Sequence, residues 1–210
     1  MIATHNNSQL LAVHTTTTEH QQQQQQQTSV PMIRNVSNEL EAIRCGSHRT
    51  VADGVAFPMA CRSMLYNLPG NSYCADCGAA RPEWASVSYG ILLCVRCSGR
   101  HRSFGVQISR VRSIDMDAWS HSQIMAMLEG GNEQLTSFFD RHGMSGMMDR
   151  RYQTKAALFY RSNLQKHVET VANAGEYKGR EAARRRYHQQ SKEKIHQTVA
   201  CSKAKTATVQ

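Results

Sequence analysis

CADC at residues 74–77 and CVRC at residues 94–97 decide how this chain folds. Cys74, Cys77, Cys94 and Cys97 form the pattern C-x2-C-x16-C-x2-C. Each half is a tight turn that aims two sulfurs at one point, and the two halves have the spacing of thiolate pairs converging on one tetrahedral zinc ion. The sixteen residues between them are enough for a short excursion and return. The other three cysteines, Cys45, Cys61 and Cys201, have no partners at ligand spacing, so the cluster stands out from its own background. A disulfide or redox set is the alternative, and it belongs to oxidising compartments. The opening MIATHNNSQL has no basic stretch followed by an apolar one, so a cytosolic or nuclear setting is expected. No stretch approaches the roughly 18 to 20 apolar residues of a membrane span.

Outward from the cysteines, Ala60 to Leu68 predicts a short helix that ends before Pro69-Gly70. Arg81 to Trp84 reads as a turn, Ala85 to Tyr89 as a strand, Gly90 as a reversal and Ile91 to Leu93 as a return strand, together a zinc-pinned hairpin. Ser98 to Phe104 predicts a helix, and Val106 to Val111 alternates apolar and polar positions as a half-buried strand does. Ser120 and Gln123 have capping-box spacing ahead of Ile124, Met127 and Leu128, and Gly130-Gly131 stops that helix. Leu135, Phe138 and Phe139 repeat the helical pattern. A longer helix is expected over Tyr152 to Ala172, with Tyr152, Ala156, Phe159, Tyr160 and Val168 on one face. The fold class expected is α+β: a small zinc-nucleated β-sheet (a four-cysteine finger) surrounded by several α-helices, with disordered N- and C-terminal tails.

A length of 210 residues allows one ordinary domain plus tails. Thr15 to Thr18 and Gln21 to Gln27 are low-complexity runs with too few apolar side chains to offset the entropy of ordering, and residues 1–52 are read as a disordered tail. Charge is uneven. Residues 1–55 carry three basic and four acidic side chains, residues 56–150 nine and eight, and residues 151–210 thirteen and four. The metal-bearing region is thus almost neutral, which disfavours a phosphate-driven nucleic-acid clamp there. The tail, with Lys178, Arg180, Arg184, Arg185, Arg186, Lys192, Lys194, Lys203 and Lys205, is a candidate for an anionic membrane surface or for nucleic acid.

The stretch CADCGAARPEWASVSYGILLCVRCSGRHRSFGVQISRVRSIDMDAW resembles the catalytic core of the Arf GTPase-activating protein family, a four-cysteine zinc finger followed by an arginine in a His-Arg-x-Leu-Gly context. The resemblance continues through Gly130-Gly131-Asn132 and Phe138-Phe139 into TKAALFYR and covers roughly Ala60 to Leu164. It implies an ArfGAP-like catalytic domain over residues 53–172, between the tail at 1–52 and a basic C-terminal tail at 173–210. It makes Cys74, Cys77, Cys94 and Cys97 ligands of one structural zinc, Arg102 the catalytic arginine, and Trp84 a residue of the GTPase-facing surface. Asp117 and Trp119 match positions expected to hold the fold, and His101 is expected to pack, or to support the metal site from behind its ligands, rather than to ligate, since four sulfurs complete the shell. Phe104 stands where leucine is usual and Gln107 where histidine is common; neither removes an expected catalytic atom.

The implied function is an enzyme activator acting in trans on GTP-bound Arf-family GTPases in vesicle trafficking. Its expected location is cytoplasmic and peripheral at Golgi or endosomal membranes. A fully sulfur-ligated zinc leaves no open position for an activated water, so metal hydrolase chemistry is disfavoured. Two alternatives are an adaptor that binds a GTPase without accelerating it, and a nucleic-acid-binding zinc finger. The latter calls for a basic helix after the second cysteine pair, whereas Ile114-Asp115-Met116-Asp117 is acidic and apolar.

Overall fold

The computed structural model describes residues 30–46, 54–190, 192 and 193. In chain order the elements are α1 (30–44), α2 (Met59–Tyr66), β1 (Trp84–Ser86), β2 (Ile91–Leu93), α3 (Val95–Ser103), β3 (Val111–Ser113), α4 (His121–Glu129), α5 (Asn132–Arg141), a 3-10 turn (Met148–Gln153), α6 (Lys155–Asn173) and α7 (180–190). The class is α+β, as the sequence predicts. The sheet is small: three antiparallel strands in the order β2-β1-β3, three residues each. Trp84, Ala85 and Ser86 pair with Leu93, Leu92 and Ile91 on one side, and with Ser113, Arg112 and Val111 on the other.

So small a sheet needs support at its edges and faces. Ile91, Leu92 and Leu93 are all buried, so β2 reads as an apolar run rather than an alternating one. Its outer edge is closed by groups that are not a strand. Leu92 N–H donates to Asn132 Oδ1 at 2.7 Å, and Leu92 C=O accepts from Ala75 N–H at 3.0 Å and from Asn132 Nδ2 at 3.2 Å. The β1–β2 turn seats on the end of α4, where a Cβ added at Gly90 would lie 2.5 Å from Ala126 O, and one at Gly130 2.5 Å from Gly90 O. Gly90 also takes φ 64°. Two glycines are needed for this crossing.

The capping box forms as read: Gln123 N–H donates to Ser120 Oγ and Ser120 N–H to Gln123 Oε1. Trp119 is fully buried edge-on to Phe57, with Nε1–H on Ser113 O at 3.1 Å, and Asp117 Oδ2 accepts Ser113 N–H at 2.6 Å. Both hold the start of α4 against β3.

Several expectations need correction. The strand predicted over Val106 to Val111 is instead β3 at Val111–Ser113. Residues 105–109 wind back as a turn, with Ile108 and Ser109 N–H both on Gly105 O, and Val106 faces solvent. Alternation there reflects no partner strand. The core face of α6 is Ala157, Tyr160, Leu164, His167, Val168 and Val171, and Phe159 points outward at 59% exposure. The predicted face is displaced because it counts Tyr152 in the helix, whereas Tyr152 lies in the 3-10 turn before Thr154, whose hydroxyl caps α6.

Residues 30–44, inside the segment read as a disordered tail, form α1. Val36 and Leu40 enter the core, and the Glu39 carboxylate accepts from the N–H groups of Ala60 and Cys61, both at 2.9 Å. α2 has no side-chain cap of its own, so Glu39 satisfies its amino end from a distance. The remaining residues of the expected N-terminal tail, 1–29 and 47–52, lie outside the described residues. Likewise, α7 lies inside the expected basic tail. Its anchor is a buried polar knot: Glu129 accepts from His167 Nε2 at 2.7 Å and Tyr177 OH at 2.8 Å, and Arg180 donates to Gly130 O and to Gln134 Oε1. Residues 194–210 of that tail lie outside the described residues.

Candidate functional site

The two cysteine turns meet. The sulfurs of Cys74, Cys77, Cys94 and Cys97 all lie within 4.8 Å of one another, against about 3.8 Å between the sulfurs of a tetrahedron with Zn–S bonds of about 2.3 Å. Cys77 Sγ and Cys94 Sγ are 3.5 Å apart, far beyond the disulfide bond length of about 2.05 Å. Cys94 also caps α3, its sulfur accepting the Cys97 N–H at 3.5 Å. The Ala79 N–H at its sulfur holds the Cys77 thiol down at about 7, whereas burial pushes Cys74 and Cys97 up. Four thiols crowded around one point in this way match a soft tetrahedral cation that displaces their protons, and zinc fits the donor set.

The second cysteine pair starts α3, and α3 carries Arg102 in its last turn. Arg102 is exposed, and its guanidinium carbon sits 4.3 Å from the centroid of the half-buried Trp84 ring on β1. A planar cation stacked on an indole is thus presented on the surface. The structure brings the two residues together, with Arg102 on the helix that begins at the second cysteine pair.

The preceding residue, His101, is completely buried and lies off the cysteine cluster. Its Nε2–H donates to Asp76 Oδ2 at 3.1 Å and its Nδ1 lies 2.7 Å from Ser109 Oγ, which in turn is 2.6 Å from Ser86 Oγ. Asp76 sits between Cys74 and Cys77, and its Oδ1 accepts from Arg151 Nη2 at 2.6 Å and from the Tyr152 hydroxyl at 2.5 Å. Burial pushes this carboxyl upward, but the bonds from His101 and Tyr152 and the Arg151 charge prevail and hold it at about 2. Sequence reasoning missed Asp76, Ser109, Arg151 and Tyr152. The one available signal was an acidic side chain inside CADC, and it stands 25 residues from the histidine it binds, with no spacing rule to link them.

Taken together, a four-thiol knuckle, a three-stranded sheet and a helix that presents an arginine over a tryptophan define a zinc-finger domain with an outward-facing cation. The family model described as "Putative GTPase activating protein for Arf" matches residues 60–197. That is about two thirds of the chain, and the chain belongs to this family, ArfGap. Among its relatives, "ADP-ribosylation factor GTPase-activating protein 3" of Mus musculus is 45% identical over 102 residues, covering 48% of this chain and 20% of that protein. "Arf-GAP with coiled-coil, ANK repeat and PH domain-containing protein 2" of Gallus gallus is 47% identical over 73 residues, 35% of this chain and 9% of that protein. A crystal structure of a "putative GTPase activating protein for ADP ribosylation factor" from Cryptosporidium parvum superposes with a TM-score of 0.50 at 28% identity, covering 54% of this chain and 96% of that one. The chain spans about one fifth of the length of the first curated relatives it matches.

Proposed function

We propose that this protein stimulates GTP hydrolysis by an Arf-family GTPase, with Arg102 as an arginine finger supplied in trans. The observation that carries this reading is the exposed Arg102 guanidinium over Trp84, on a helix whose first turn is built from two of the knuckle's cysteines. As the γ-phosphoryl transfers, negative charge spreads over its oxygens, and a planar guanidinium stabilises it with paired hydrogen bonds. Such a group accelerates hydrolysis by about 10³ to 10⁵, or roughly 4 to 7 kcal/mol of barrier. Trp84 forms part of the GTPase-facing surface, and the Arg102 guanidinium rests on its ring. The nucleotide, magnesium and attacking water belong to the GTPase. A single zinc on Cys74, Cys77, Cys94 and Cys97 is structural, every position being taken by sulfur.

The site of action in this reading is the cytoplasmic face of Golgi or endosomal membranes, in vesicle trafficking. Supporting it is the basic C-terminal region, thirteen basic against four acidic side chains over residues 151–210, suited to anionic lipid. Among the described residues no helix is long and apolar enough to cross a membrane.

The test is single-turnover hydrolysis on GTP-loaded Arf-family GTPases, comparing wild type with Arg102→Lys after zinc content has been matched. Strong stimulation by wild type and little by the variant is expected, because a point charge lacks the planar fork. Equal stimulation by both proteins removes the arginine finger. Absence of stimulation across several Arf-type GTPases, with zinc bound, removes the activity.

A further inference from the structure

Arg102 lies at the surface on a flexible side chain, and an exposed stack on an indole changes the population of one rotamer only about 2- to 5-fold. Its direction must therefore come from the backbone beneath it and from the ring it rests on. Both are tied to one buried line of polar groups. Asp76 in the first cysteine turn holds His101; His101 meets Ser109 at the end of the loop that follows Arg102; Ser109 meets Ser86. Ser86 lies two residues from Trp84 on β1 and so projects from the same face of the strand. One end of the line thus bears on the residue next to Arg102, and the other on the strand that carries Trp84.

We propose that His101 is a positioning residue for Arg102, and that the Asp76–His101–Ser109–Ser86 line locks the arginine and its tryptophan into one presentation. Three features distinguish it from ordinary packing. Every member is buried: His101 and Ser86 at 0%, Ser109 at 1%, and the Asp76 side chain at 4% exposure. Asp76 collects three donors, from His101, Arg151 and Tyr152. A buried ion pair contributes little net stability relative to apolar side chains of the same volume, and in this proposal what the arrangement supplies is orientation. Finally, the imidazole is also held by rings, edge-on to Tyr152 at 4.4 Å and tilted against Phe104 at 5.2 Å, so it has no freedom to follow a shifting loop. The cysteine knuckle and the helix that carries Arg102 meet at this one side chain, and Ser109 links it to the sheet.

The proposal rests on the reading of Arg102 given above, and its test separates the two. His101→Phe keeps the ring contacts and removes both hydrogen bonds; Ser109→Ala breaks the line away from the cysteines. Two quantities are read at matched zinc content: kcat and KM for GTP hydrolysis on an Arf-family GTPase, and the ring-current shift that Trp84 imposes on the Arg102 side-chain resonances in the free protein. The expected result for His101→Phe is a kcat lower by about 10- to 100-fold with KM within about 2-fold, and loss of the ring-current shift. For Ser109→Ala the same signature is expected at about 3- to 10-fold. Lower melting temperatures with an unchanged Arg102 shift overturn the proposal, as does a rise in KM alone. If His101→Phe loses zinc, Ser109→Ala decides. If wild type stimulates no GTPase the functional reading fails, and the ring-current shift still decides whether His101 positions Arg102.

Discussion

Replacing Asn132 is the sharpest test of how so small a sheet is held together. This residue opens α5, is 3% exposed, and acts at the sheet edge as a strand one residue long. Its Oδ1 accepts Leu92 N–H at 2.7 Å and its Nδ2 donates to Tyr73 O at 2.5 Å and Leu92 O at 3.2 Å. Asn132→Ala leaves Leu92 O with Ala75 N–H but strips the partner from Leu92 N–H and Tyr73 C=O. At about 1 to 3 kcal/mol for a buried group left unpaired, the loss at Leu92 N–H alone is a large share of a typical domain's stability, and the part-buried Tyr73 C=O adds less. The assay is urea unfolding of the zinc-loaded protein, with exposed Thr136→Ala on the same helix as control. Asn132→Asp adds a sign. Its carboxylate keeps the bond to Leu92 N–H but faces carbonyl oxygens, so burial raises its pKa in the folded state. The folded protein then binds more protons than the unfolded one, and the deficit from wild type narrows as pH falls through that raised value toward the unfolded aspartate's value of about 3.9. Asn132→Ala within about 1 kcal/mol of Thr136→Ala refutes the account of the sheet edge.

Three further outcomes are expected. Chelating the metal under reducing conditions unfolds the sheet region, since structural zinc contributes on the order of 10 kcal/mol to such modules; Cys74, Cys77, Cys94 and Cys97 then alkylate rapidly, and zinc restores protection. Gly130→Ala drives a methyl to within 2.5 Å of Gly90 O, and costs about 2 to 3 kcal/mol in thermal unfolding. Glu129→Ala removes the acceptor shared by His167 and Tyr177, costs about 2 to 4 kcal/mol, and makes Arg184, Arg185 and Arg186 more open to trypsin in limited proteolysis.

Much of the site was legible because its signals are local. The cysteine spacing, the capping box at Ser120 and Gln123, and the glycines at 90 and 130 each act over a few residues, and each takes the role its chemistry dictates. What the sequence hid is non-local. Asp76, His101, Ser109, Arg151 and Tyr152 meet from positions up to 76 residues apart, and no spacing rule links them. Two further signals were present and outweighed. Ile33, Val36, Leu40 and Ile43 recur at helical spacing, but the nearby glutamine run masks them. At Val106 to Val111 the alternation is too short to specify a strand, because a strand also needs a neighbour to pair with.

α1 separates ancestry from folding. The match to the family begins at residue 60, yet Val36 and Leu40 fill the core and Glu39 satisfies the first amides of α2 from outside that boundary. A recombinant fragment trimmed to the homologous region would begin with uncapped amides and an apolar scar, prone to aggregate however intact its metal centre. A unit that keeps this core intact therefore includes Val36, Glu39 and Leu40, and measurements on a fragment without them would report the injury along with the chemistry.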